Sequence, residues 1–95
     1  MPAYVIGHIT VTDQQAWTDY RAAVPASLEP WGGELLFRGQ FERLLGGNHR
    51  RQQTVAIRFA DLTAANNWFD SDDYQRLIPL RERAAKVDLL MFDGI

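Results

Sequence analysis

The stretch "AYVIGHITV", Ala3 to Val11, decides how this chain is read. Its β-branched residues and its alternation predict a strand. Successive side chains of a strand point to opposite faces. Val5, Gly7, Ile9 and Val11 therefore share one face, and Tyr4, Ile6, His8 and Thr10 the other. The first set is wholly small or apolar. The second mixes apolar groups with a histidine, so both faces ask for a cover.

Working outward, Thr12 and Asp13 offer helix N-caps. Trp17, Tyr20, Val24 and Leu28 recur at helical spacing, which predicts a helix from Gln14 to about Glu29. Pro25 is expected to kink or break it, because proline lacks an N–H and crowds the preceding turn. Gly32-Gly33 is a stop signal. "ELLFRG", Glu34 to Gly39, is the second strand and extends at most to Leu45; Gly46-Gly47-Asn48 is a turn; "QTVAIRF", Gln53 to Phe59, is the third strand. The two strands form a hairpin. Asp61 or Thr63 caps a short helix through Trp68 and Phe69. Ser71 caps another, with Asp72 and Asp73 in its first turn where the helix dipole favours acids. Pro79 is expected to bend or split that helix near Ile78. "VDLLMFD", Val87 to Asp93, is the last strand.

The order β-α-β-β-α-β predicts an α+β, ferredoxin-like sandwich: a four-stranded antiparallel sheet with its helices on one face. Strict alternation puts Val5, Gly7, Ile9, Val11, Leu35, Phe37, Val55, Ile57, Phe59, Val87, Leu89 and Met91 under the helices. The opposite, mixed face carries Tyr4, Ile6, Leu36, Leu90 and Phe92 beside His8, Glu34, Arg38, Arg58 and Asp88. Clustered apolar groups of this kind mark an interface or a ligand groove. Most oligomers are symmetric dimers, so the expected cover is the same face of a second copy.

The 95 residues suit a single domain spanning 1–95. The chain has no cysteine, which excludes disulfides, a thiolate nucleophile and a cysteine zinc site. A formal net charge of −2 lacks the broad basic footprint of a nucleic-acid binder. RNA-recognition modules share this topology, but "RQQTVAIRF" lacks their glycine and paired stacking aromatics. The first apolar run has no basic region before it and is interrupted by Gly7 and His8, so neither a signal peptide nor a membrane span is expected. The expected location is cytoplasmic.

Candidate chemistry centres on the mixed face. His8 is the candidate proton-transfer residue, since histidine titrates near neutral pH. Arg38 and Arg58 are candidates to hold a carboxylate or carbonyl oxygen, against simple ion pairs with Glu34 or Asp88. Tyr4 shares their face. Trp17 is expected in the core, and Trp68 either packs in the core or rim or walls a pocket. Tyr74, Leu77, Ile78, Arg81 and Ala85 fall on one helix face. Arg81 either packs its stem and reaches water or Asp88, or is aimed by the Pro79 bend at a pocket edge near Tyr74. His49, in a turn beside Arg50 and Arg51, is expected to be solvated, and the two histidines have no metal-site spacing. No phosphate loop or Ser-His-Asp order is present, and no cofactor is expected.

The blocks "AYVIGHITVTD", "VPASLEPWGGELLFRG" and "WFDSDDYQRLIPLRERAA" resemble, in order and spacing, the domain of unknown function 1330 family, and the resemblance covers nearly the whole chain. It implies a dimeric α/β barrel, in which the sheets of two protomers face each other. That wider group includes cofactor-free monooxygenases of antibiotic biosynthesis, muconolactone isomerase-like proteins and haem-binding relatives. "GGNHRRQQ", Gly46 to Gln53, departs from the acidic-aromatic turn more common among relatives. The functional expectation is a homodimer that binds a small, partly apolar metabolite between sheet and helices or between facing sheets, with Tyr4, Arg38, Arg58, Trp68, Tyr74 and Arg81 as ligand-binding candidates. The alternative is a cofactor-independent enzyme, monooxygenase- or isomerase-like, using His8 for proton transfer.

Overall fold

The alternating segment at the start becomes a central strand. In the computed structural model, which describes residues 1–95, the elements run β1 (Ala3–Val11), α1 (Gln14–Leu28), a 3₁₀ turn (Glu29–Trp31), β2 (Glu34–Gln40), β3 (Gln53–Phe59), α2 (Leu62–Asp70), α3 (Asp72–Gln75), α4 (Ile78–Ala84) and β4 (Ala85–Asp93). The sheet order is β2-β3-β1-β4, and each neighbouring pair is antiparallel. This is the ferredoxin-like βαββαβ arrangement, with the second helical stretch divided into three short pieces.

Each helix start has a local cause. The Asp13 carboxylate accepts from the Ala16 N–H at 3.1 Å and begins α1. Asp61, not Thr63, caps α2 through the Ala64 N–H at 2.8 Å. Ser71 caps α3 through the Tyr74 N–H at 3.2 Å. Pro79 sits in the first turn of α4, where the N–H it lacks would have no helical acceptor. The predicted split at this proline is therefore present. Pro25 behaves otherwise: α1 continues through it to Leu28 and then tightens into the 3₁₀ turn. Gly32, at φ 68°, ends that turn in the left-handed region. At Gly33 a Cβ would stand 2.6 Å from Leu28 Cδ2 and 2.9 Å from Phe59 Cε1, so only glycine lets the chain pass this close to the core.

The core lies between the sheet and the helices. Val5, Ile9, Ile57 and Phe59 meet Trp17, Trp68 and Tyr74 there. Trp68 anchors the aromatic part, 4.3 Å from Tyr74 and 5.5 Å from Phe59 between ring centroids. Such pairs add about 0.5–1.5 kcal/mol each beyond area burial.

One expectation about faces is corrected. Leu35 pairs with Ile57, but Phe37 then pairs with Ala56 and Arg38 with Val55. Leu36 is the extra residue of a β-bulge, which re-aims every side chain after it. Phe37 thus joins the mixed face and Arg38 joins the helix face, the reverse of strict alternation. The mixed face reads, across β2-β3-β1-β4, as Glu34–Arg58–Tyr4–Phe92, then Phe37–Ala56–Ile6–Leu90, then Gly39–Thr54–His8–Asp88.

Candidate functional site

The same register creates a floor on the helix face: Arg38–Val55–Gly7–Leu89, one residue from each strand. Above it, α1 makes its close backbone approaches to α4 rather than to the strands, and the space left over is a cavity of about 360 Å³. Trp17, Arg21, Val24 and Leu28 roof it. These positions are i, i+4, i+7 and i+11, a single helical stripe. Gly7 keeps the floor low, since a Cβ there would stand 3.0 Å from Val55 Cγ1 and 3.4 Å from Leu89 Cδ1. A glycine inside a strand commonly marks such a close approach.

The walls are tied in place. The Trp68 indole N–H donates to Ser27 Oγ at 3.1 Å, and that hydroxyl donates to the Val24 carbonyl at 2.6 Å. Tyr20 stacks on Trp17 with centroids 5.3 Å apart. Its hydroxyl turns to Tyr74, 2.9 Å away. Burial pushes the Tyr20 phenol far above its ordinary pKa; Tyr74 adds to the rise and Arg81 opposes it. The Trp17 indole N–H is buried without an acceptor.

Most of the lining is apolar, and its charged members are Arg21, Glu29 and Arg38. The ion pairs of the protein are Arg51–Asp88 at 3.1 Å, Arg76–Asp73 at 3.2 Å and Arg81–Glu82 at 3.4 Å. Neither cavity arginine belongs to one. Partial burial lowers the Arg38 pKa from its ordinary value, the positive charge of Arg21 lowers it further, and Tyr20 works the other way. The cavity thus combines a mostly apolar lining with two guanidinium groups, one from the roof and one from the floor, that belong to no ion pair.

The predicted site residues separate into three groups. Arg38 and Trp68 line the cavity. Tyr4, His8 and Arg58 lie on the opposite face of the sheet. There His8 Nδ1 is 2.9 Å from Thr54 Oγ1. Arg58 sits opposite Glu34 in register, yet the two form no ion pair; Asp88 pairs instead with Arg51. Tyr74 and Arg81 belong to the helix layer. Tyr74 is fully buried, and its hydroxyl accepts from Arg81 Nη1 at 2.8 Å. Arg81 therefore bonds Tyr74 rather than Asp88 and lies outside the cavity, although it borders a separate open pocket with Phe69, Asp88 and Leu90. Burial works against its charge, but Tyr74, Tyr20 and Glu82 outweigh this and raise its pKa.

His49 also departs from expectation. The segment between β2 and β3 folds back so that the His49 ring meets His8 edge-on at 5.1 Å and Phe41 at 5.7 Å. His49 is half-buried rather than solvated. No group of three His, Cys, Asp or Glu residues is gathered where it could hold a metal ion. No helix is long and apolar enough to cross a membrane.

Arg21 was not among the expected site residues. Its signal was present: an arginine four residues after Trp17 and three before Val24, inside an apolar stripe.

Solved structures similar to this fold include a protein of unknown function from Rhodopseudomonas palustris, with TM-score 0.81 and 16% identity over 99% of this chain and 82% of that one. A dimeric ferredoxin-like protein of unknown function from Jannaschia sp. CCS1 matches with TM-score 0.74 and 10% identity, over 99% of this chain and 100% of that one. SnoaB, a cofactor-independent oxygenase from Streptomyces nogalater, matches with TM-score 0.68 and 10% identity over 99% and 93% of the two chains. At these identities the likeness is one of fold. No curated protein matches the chain. The family model described as Domain of unknown function (DUF1330) matches residues 2–95, and the chain belongs to that family.

Proposed function

We propose that the protein is a homodimer that binds a small, partly apolar metabolite in the cavity between α1 and the sheet, with residues 1–95 acting as one domain. The observation that carries this is the cavity itself. At about 360 Å³, mostly apolar and with a few charged groups at one side, it has the size and lining of a small-molecule site. The glycine at its floor and the bonded Ser27–Trp68 wall support a preformed space. Pairing through the mixed face is supported by exposed Phe37, Leu90 and Phe92 beside half-buried Tyr4 and Ile6. The dimeric Jannaschia neighbour supports it too.

Thermal unfolding in the presence of small aromatic and aliphatic compounds tests the binding reading. At least one series should raise the melting temperature of the parent and fail to do so in Gly7→Val, whose added methyls occupy the floor. Protection that survives the filled floor would place binding elsewhere.

A second reading, a cofactor-independent enzyme of monooxygenase or isomerase type, is favoured by His8 beside Thr54 and His49 on the face that pairing would cover. His8 lies on the other side of β1 from Gly7 and Ile9, which line the cavity. Its substrate would have to sit between facing sheets. Full turnover of such a substrate by His8→Ala would rule that role out.

A further inference from the structure

Two features of the cavity are unexplained by apolar binding alone. The first is the arginine pair. Arg21 from α1 and Arg38 from β2 line one apolar space, close enough for one charge to act on the other. Both are exposed to water, but like charges side by side still repel, and an anion between them relieves that repulsion. The protein supplies no such partner: neither arginine is in an ion pair, and Glu29, the acid of the lining, bridges neither. The second feature is the bulge at Leu36. Without that extra residue's shift, strict alternation would send Arg38 to the mixed face. With it, Arg38 stands opposite Val55, in the row that ends on Gly7 and Leu89. Bulges are a recurrent means of re-aiming a side chain at a site.

We propose that the ligand is a small monocarboxylic acid with an aromatic or aliphatic body, its carboxylate held between Arg21 and Arg38 and its body lying over Gly7 beneath Trp17 and Val24. A carboxylate fits because guanidinium groups bind it through paired, charge-assisted hydrogen bonds. An apolar body fits because the rest of the lining is mostly apolar and most of its polar groups are occupied: the Tyr20 hydroxyl is taken by Tyr74 and the Trp68 N–H by Ser27, leaving the Trp17 N–H as the one donor without an acceptor. One negative charge offsets the pair to a net single positive charge, and Glu29 brings the lining to neutrality. This inference rests on the cavity being a binding site.

The test uses matched pairs of probes: aromatic and straight-chain monocarboxylates, such as 2-naphthoate and octanoate, each beside its own primary amide. Dissociation constants are measured for the parent, Arg21→Gln, Arg38→Gln and Gly7→Val. Both arginines keep contact with solvent, so their glutamine variants should fold. The expected result is that acids bind at least about tenfold more tightly than their amides, and that each glutamine variant weakens the acid by about tenfold while leaving the amide unchanged. Gly7→Val should abolish both. Amides that bind as tightly as acids, or acids indifferent to both arginine variants, would overturn the carboxylate assignment and leave the cavity reading standing. Failure of every acid and amide to bind would overturn both.

Discussion

The hydroxyls of Tyr20 and Tyr74 lie 2.9 Å apart inside the helix layer, one from α1 and one from α3. Arg81 Nη1 donates to the Tyr74 oxygen from α4 at 2.8 Å, and the two tyrosine hydroxyls share one further hydrogen bond in which either can be the donor. This polar chain ties three helical segments across the break that Pro79 imposes. It also answers why an arginine stands on an apolar stripe: its guanidinium serves a buried hydroxyl, and its side chain is only 14% exposed.

The chain has a pH signature. Burial, with Tyr74 adding, raises the folded-state pKa of Tyr20 above its ordinary 10.0. Below about pH 10 both folded and unfolded states keep the proton, and stability is flat in this respect. Above it the unfolded chain releases a proton that the folded protein retains, so stability falls as pH rises. Urea midpoints from pH 8 to 11 should show this fall in the parent. In Tyr20→Phe the midpoint at pH 8 should drop by the equivalent of about 1 kcal/mol for the lost hydrogen bond, and the alkaline slope should be shallower. An unchanged slope would mean that another group controls alkaline unfolding.

Ser27 is a small residue with a large expected effect. Its hydroxyl is the acceptor for the buried Trp68 N–H and is itself bonded to the Val24 carbonyl. Ser27→Ala leaves that indole donor unpaired, at about 1–3 kcal/mol. In a double-mutant cycle with Trp68→Phe the two losses should add to less than their sum, because the phenyl ring has no donor left to satisfy. Additive losses from urea unfolding would show that the bond contributes nothing.

Deleting Leu36 should be tolerated. The bulge holds one residue more than β3 can oppose, and the partners on either side, Leu35 with Ile57 and Phe37 with Ala56, become consecutive once it is gone. Arg38 then stays opposite Val55. The expected outcome is a cooperative thermal transition and retained carboxylate binding in the deletion variant. Loss of acid binding with the fold intact would show that the local twist of the bulge, not register alone, places Arg38.

These cases also show what the sequence could and could not reveal. Element order, most strand limits and helix caps were legible because they rest on local chemistry: alternation in Ala3–Val11, a carboxylate at Asp13, a hydroxyl at Ser71, a proline at Pro79; the last strand, however, begins at Ala85, which the helical spacing assigns to the helix. The bulge was not legible, since "ELLFRG" carries no residue at Leu36 that marks an extra position, and strict alternation therefore assigns Arg38 to the face opposite the one it occupies. The cavity was invisible for a related reason. Nothing along α1 states how far it stands from the sheet; that distance follows from its packing on α4. The contact between His8 and His49 depends on how the segment between β2 and β3 folds back, which no spacing in the chain expresses.

Pairing through the mixed face makes a prediction about mass. Leu90 sits beside Ile6 in the row Phe37–Ala56–Ile6–Leu90, in the middle of that face, and is exposed in the single chain. Leu90→Asp should cost the isolated fold little, because the new carboxylate faces water there. In a symmetric dimer each copy would bring its aspartate into the covered face, close to Asp88 and without a matching cation in its row. Burying unpaired carboxylates costs several kcal/mol, enough to dissociate a pair held by a handful of apolar side chains. Light scattering at micromolar concentration should give the parent twice its chain mass of 10.9 kDa and the variant a single chain mass, with the far-ultraviolet circular dichroism of the two the same. A variant that remains a dimer would show that the copies meet through some other surface, and would leave the apolar groups of the mixed face without the cover assigned to them.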